Sequence, residues 1–225
     1  RVRVNSMNTQ KGPLKNTRVR KALQAAFDYE GMVQVYKGYA EIPNSPVPKG
    51  FTAAHEASLP PFKRDMALAK RLLAEAGYQG KPLTLSFIYT ETEPQARLAG
   101  LLMQQSLQEL GITLNLEGKP FATLAAQIAT LESGPDIQAT LTMTPRSADP
   151  GELLRTLYLG ANAGKSFNYS WYASADVDRL LAEADRTFDD AKRMGLYREV
   201  ARKLIDDAPS IWAAYPKLIE VVGDE

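Results

Sequence analysis

The sequence predicts an α/β layered domain, a central β-sheet with helices packed against it. Three features carry that prediction. Short runs such as "RVRVNSMN", "PLTLSFIYT" and "ITLNLEG" alternate apolar with polar residues, the two-residue period of a strand. Between them lie longer stretches with apolar residues at i, i+3, i+4 and i+7, the period of an amphipathic helix. Strands interleaved with helices of this length build helix-covered sheets. No composition break, flexible linker or internal repeat divides the 225 residues, which therefore read as one domain able to bury a real core.

In chain order, "RVRVNSMN" sets Val2 and Val4 against Arg and Asn, the pattern of a half-buried strand. Asn16 is an N-cap for a helix carrying Val19, Ala22, Leu23 and Ala26, and Asp28 caps a second with Met32, Val33 and Tyr36 that stops at Gly38. The proline-dense "EIPNSPVPKGF" reads as an irregular surface crossing. Asp65 opens a helix with the face Ala69, Leu72, Leu73 and Ala76, and Gly77 sits at the left-handed position after it. After "PLTLSFIYT", Pro94 introduces a long helix closed by Gly111. "ITLNLEG" is a strand, 120–131 a helix, "PDIQATLTMT" a strand and 175–187 a helix. A last long helix presents Tyr197, Val200, Ala201, Leu204 and Ile205, and "PKLIEVVG" closes as a strand.

Composition excludes several functions. Formal net charge is +1 with no basic face, which speaks against a nucleic-acid partner. Apolar runs fall short of the roughly 20 residues that span a bilayer. The absence of cysteine removes thiol catalysis, disulfides and zinc-thiolate sites, and the single histidine, His55, rules out a multi-histidine metal site within the chain. No metal or other cofactor is expected. His55 reads as a surface residue, "GYQGKP" as a turn running into a strand, and no Gly-x-Ser-x-Gly elbow is present. The acids from Asp178 to Asp190, and the pair Asp206 and Asp207, fit helix faces and helix ends. The chain opens directly on a strand with neither a Met start nor a secretory leader, which gives the expectation of a piece cut from something longer.

Polar-aromatic material beside strand ends points to binding. Phe87, Ile88 and Tyr89 end one strand, and "SFNYSWY" gathers Phe167, Tyr169, Trp171 and Tyr172. In open α/β sheets ligands sit off the strand ends, where "TMTPRSADPGELL" (142–154) lies.

The order of segments resembles a known family. "GPLKNTRVRKALQAAFDYEGMV", "DMALAKRLLAEAGY", "LQELGITLNLE", "ADPGELLRTLY" and "NYSWYASADVDRLLAEA" are similar, in this order and over nearly the whole chain, to landmarks of the bacterial extracytoplasmic solute-binding proteins of the oligopeptide and dipeptide class, family 5. The resemblance implies a periplasmic-binding-protein-like lobe of the type II, peptide-binding class, with a central mixed β-sheet flanked by helices. Residues 1–225 would be the second, C-terminal lobe of a two-lobed receptor. The implied partners are a small solute (a peptide or related compound), the first lobe of the same protein and the membrane permease subunits of an ABC importer, in the periplasm or tethered at the cell surface. No catalysis is implied.

In peptide-binding relatives an aspartate of a Trp-x-Gly-Asp segment, a few residues before an Asp-Pro, pairs with the ligand's amino terminus. Aligned on Asp149-Pro150, Met143 takes the tryptophan's place and Arg146 the aspartate's, which reverses the charge. A guanidinium repels an ammonium and prefers carboxylate or phosphate. The expected ligand-binding residues are Met143, Thr144, Arg146 and Asp149, with Asn168 matching the family's asparagine and Tyr89 and Tyr169 as aromatic walls. The competing readings are a carboxylate-dependent hydrolase or transferase domain, and a protein-interaction module without a small ligand.

Overall fold

The computed structural model describes residues 1–140, 143 and 149–217. Among them a mixed six-stranded sheet forms from β1 (Arg3–Met7), β2 (Ala40–Glu41), β3 (Leu83–Thr90), β4 (Ile112–Lys119), β5 (Ile137–Ala139) and β6 (Ser210–Pro216), in the order β2-β6-β1-β5-β3-β4. β3 runs parallel to β4 and β5; β1 is antiparallel to β5 and β6, and β2 to β6. The helices are α1 (Thr17–Ala26), α2 (Tyr29–Val35), α3 (Met66–Glu75), α4 (Pro94–Gln108), α5 (Phe121–Ile128), α6 (Pro150–Tyr158), α7 (Ala175–Asp185) and α8 (Asp190–Asp207).

Most helix ends carry the signals the sequence displays. The side chains of Asn16, Asp28, Asp65, Asp149, Ser174 and Asp189 each accept from a backbone N–H in the first turn that would otherwise lack a partner. Pro94 occupies the first turn of α4, where its missing N–H costs nothing. Gly77 and Gly111 take φ of +79° and +73°, a region closed to most side chains.

Side-chain alternation assigns the two faces of the sheet. Leu83, Leu85 and Phe87, with Ile112, Leu114, Ile137, Ile211 and Ala213, pack against the apolar residues of α1 to α4. On the other face Val2, Val4, Trp212 and Tyr215 meet α6, α7 and α8, while Ile88 meets Leu124 and Ile128 of α5. The result is three layers, helices on both sides of one sheet.

Four expectations change. β1 is buried on both sides, Arg3 and Asn5 included, because its position mid-sheet places a helix layer over each face. The proline-dense crossing is interior: Pro43 to Pro48 are buried and seal the α6–α8 face. Proline has no N–H to leave unpaired, and the Tyr215 hydroxyl donates to the Ser45 and Val47 carbonyls while Asn44 Nδ2 donates to those of Glu56 and Leu59. His55, expected at the surface, is partly buried and sits 2.7 Å from the Val47 carbonyl through Nδ1. Finally, the last described strand is "SIWAAYP" rather than "PKLIEVVG", whose residues from 218 onward lie outside the described ones.

Candidate functional site

Strand direction brings one set of loops together. β3, β4, β5 and β6 end, and β1 begins, at the same edge of the sheet. Beyond β5, Met143 returns to the sheet through a reciprocal backbone pair with Val2, with N···O distances of 3.1 and 2.9 Å. The chain then reaches Asp149 at the start of α6. Thr144 and Arg146, expected to bind ligand, lie outside the described residues.

The far end of that segment is firmly built. Asp149 Oδ1 accepts from the Gly151 N–H at 2.6 Å, and its Oδ2 lies 3.7 Å from Arg193 Nε. Arg193 also donates to the Thr187 carbonyl at 3.3 Å and to Asp190 Oδ1 at 2.6 Å, so the turn before α8 is fastened to the N-terminus of α6. Gly151 is required by close approach: a Cβ there would stand 2.3 Å from the Tyr197 hydroxyl oxygen. Burial pushes the Tyr197 phenol up, and the neighbouring Asp149 carboxylate adds to that, so it stays a neutral hydrogen-bonding group under α6. Asp149 and Gly151 thus each have a structural reason that needs no ligand.

The remaining expected residues separate. Tyr89 is half-buried on the α1–α4 face, its ring 6.5 Å from that of Phe87 and close against Gly118. Tyr169 packs on Ile88, Leu124 and Ile128 on the opposite face, 5.6 Å from the ring of Phe167, and burial raises its phenol. The sheet therefore stands between these two rings. Asn168 is buried at the other end of α6, about 13 Å along a helix of nine residues from Asp149. Its Nδ2 donates to the carbonyls of Leu159 (3.0 Å) and Tyr172 (2.9 Å), and its Oδ1 accepts from the Ser170 hydroxyl and the Tyr172 N–H. These bonds hold a loop in which Ser166, Phe167 and Trp171 take positive φ. Phe87, Ile88 and Tyr172, part of the polar-aromatic material beside the strand ends, are buried.

At the Met143 edge lies a group that strand periodicity concealed. Arg3 is 1% exposed and donates to Glu93 Oε2 at 2.6 Å, just before α4. The pair borders a cavity of about 420 Å³ also lined by Arg1, Tyr36, Lys37 and Lys217. Alternation marks Arg3 as the solvent-facing half of a strand, and no local signal announces the second helix layer. Among the described residues no cluster of His, Cys, Asp and Glu could hold a metal ion, and no helix is long and apolar enough to cross a membrane.

These features coincide with known proteins. The sequence profile of bacterial extracellular solute-binding proteins, family 5 Middle, matches residues 1–165. The chain is 29% identical over 207 residues to the "Probable D,D-dipeptide-binding periplasmic protein DdpA" of Escherichia coli, covering 92% of this chain and 39% of the relative. It is 30% identical over 223 residues to the glutathione-binding protein GsiB of Pectobacterium atrosepticum, covering 95% and 42%. The periplasmic binding protein DppA of Helicobacter pylori, solved with the peptide STSA, superposes with a TM-score of 0.86 at 27% identity, over 96% of this chain and 41% of that one. The chain thus spans about two fifths of the length of the relatives it matches. It belongs to family 5 of the bacterial extracellular solute-binding proteins.

Proposed function

We propose that this chain is the second lobe of a periplasmic receptor that captures a small solute, a peptide or peptide-like compound, and delivers it to the permease of an ABC importer. The first lobe of the same protein supplies the opposite wall of the cleft. Binding is by lobe closure, in which solute touching both lobes populates the closed state through its higher affinity for it. No bond of the solute is made or broken.

The observation that carries this reading is convergence. Met143 and Asp149, which bracket the residues that the resemblance aligns with the family's ligand contact, lie at the edge of the sheet where β1 begins and β6 ends. In this reading a ligand held at that edge lies between this lobe and the first. Within this reading Arg146 selects an acidic group on the solute, since a guanidinium in the aspartate's place repels a free amino terminus.

The test is complementation. Residues 1–225 mixed with the separately produced first lobe are expected to associate, by light scattering, when a bound solute is present and to stay apart without it. Turnover of a substrate by residues 1–225 alone would overturn the reading.

A further inference from the structure

A concave site separate from the Met143 edge lies where α1, α3 and the end of α8 meet. On α1, Lys21, Gln24 and Ala25 recur at i, i+3 and i+4 and so share one face of the helix, and on α3 Leu68 and Leu72 recur at i and i+4. With Tyr29, Phe62, Lys63 and Ile205 they line a cavity of about 340 Å³. Ile205 stands near the end of α8, and Gln24 Nε2 donates to the Ser210 carbonyl at 2.6 Å, where β6 starts. β6 runs from there towards the edge at which Met143 pairs with Val2, so the cavity lies at the far end of the strand from that edge.

The lining has two parts. Ala25, Tyr29, Phe62, Leu68, Leu72 and Ile205 make it apolar, and its floor is well supported: Phe62 stacks on Tyr29 at 5.9 Å and on Trp212 at 5.7 Å. Phe62, Leu68, Leu72 and Ile205 are only half-buried, which leaves apolar surface in water for a ligand to cover. Lys21 and Lys63 complete the lining with positive charge. Among the described residues neither lysine has an ion-pair partner, whereas Arg18 and Arg71 are engaged by Glu75 and Arg64 by Glu109. Two uncompensated ammonium groups beside an apolar lining suit a ligand with one anionic group on an apolar body. At about 30 Å³ for each water-sized atom, the volume admits roughly eleven non-hydrogen atoms.

We propose that this cavity is a second binding site, for a small amphipathic carboxylate. An apolar body of roughly eight or nine carbons fills the space between α1 and α3, and the carboxylate meets Lys21 and Lys63. The site is distinct from the solute cleft and does not rest on the receptor reading.

The experiment uses the full-length protein and 3-phenylpropanoate, whose nine carbons and two oxygens match that size, in calorimetry at constant ionic strength. Wild type is expected to bind it, to bind the neutral 3-phenylpropan-1-ol about tenfold more weakly, and to ignore acetate, which lacks the apolar body. Lys21→Gln combined with Lys63→Gln should weaken binding about tenfold with the melting temperature unchanged, because neither lysine side chain is bonded to the fold. Leu68→Trp should fill the cavity and abolish binding; Leu72→Trp fills it from the next turn of α3 and replaces the first variant should that one melt early. A ring-diazirine analogue should crosslink to α1 and α3. Absence of binding by wild type, equal affinity for the alcohol, undiminished binding by the filled variants, or crosslinks at the Met143 edge would each overturn the site. None of these results touches the receptor reading, which the association of the two lobes decides separately.

Discussion

At the scale of single residues, the bonds that hold the fold can be told apart from the ligand contact proposed above. Asn168 uses both atoms of its amide on the loop it sits in, and it lies a helix length from Asp149. Asn168→Ala leaves several buried backbone and hydroxyl groups unpaired and is expected to lower stability by about 3 kcal/mol in urea titration. Calorimetry on the full-length receptor should find solute affinity unchanged. Arg146→Ala should do the reverse, weakening binding of an acidic solute by more than about 1 kcal/mol with no change in stability; an unchanged dissociation constant would remove Arg146 from the site. Arg20 is a third case. At 5% exposure it donates to the carbonyls of Leu14, Lys15, Asp207 and Ala208, joining α1 to the end of α8, and desolvation lowers its pKa. A lysine cannot present that planar fork, so Arg20→Lys should lose nearly as much stability as Arg20→Ala, about 3 kcal/mol.

At the level of elements, legibility followed local chemistry. Caps at Asn16, Asp28 and Asp65 and stops at Gly77 and Gly111 could be read because each is a short-range bond or a forced φ. β6 could not. "SIWAAYP" alternates weakly because it is buried on both faces, so period gives no edge to it, and its identity comes from β1 and β2 on either side. Trp212 shows what that burial is worth: it stacks on Phe62 at 5.7 Å and donates to the Tyr158 hydroxyl at 2.8 Å, and burial pushes that phenol up to about 12. Trp212→Ala is expected to cost about 4 kcal/mol. The segment that covers this core is pinned by Glu56, which Arg202 engages through Nε at 3.1 and 2.9 Å and through Nη2. That hydrogen bonding holds the Glu56 carboxyl below its ordinary value of 4.5. A depressed carboxyl stabilises the fold above about pH 4.5 and loses that contribution as pH falls through the lowered value. The stability gap between wild type and Glu56→Gln should therefore be full at pH 7 and shrink steadily below pH 4.5 in urea melts.

For the whole molecule, fold class and family were accessible before any coordinates, because an ordered set of landmarks spans the chain. The arrangement of the site was not. Tyr89 and Tyr169 read alike as rings beside strand ends, yet the sheet separates them, and only pairing order decides that. The two main apolar layers share β1 and β6, so neither can melt without exposing the other. Residues 1–225 are expected to unfold in one transition, with far-UV circular dichroism and the fluorescence of Trp171 and Trp212 coinciding in urea. A fluorescence midpoint clearly below the dichroism midpoint would show the layers to be independent.

Arg3 and Ala214 face each other across the β1–β6 ladder, so the first strand and the last described one are neighbours roughly 4.8 Å apart. The entropy of closing so long a stretch of chain is met by the sheet itself, and loss of the β1–β6 pairing would release all of it at once.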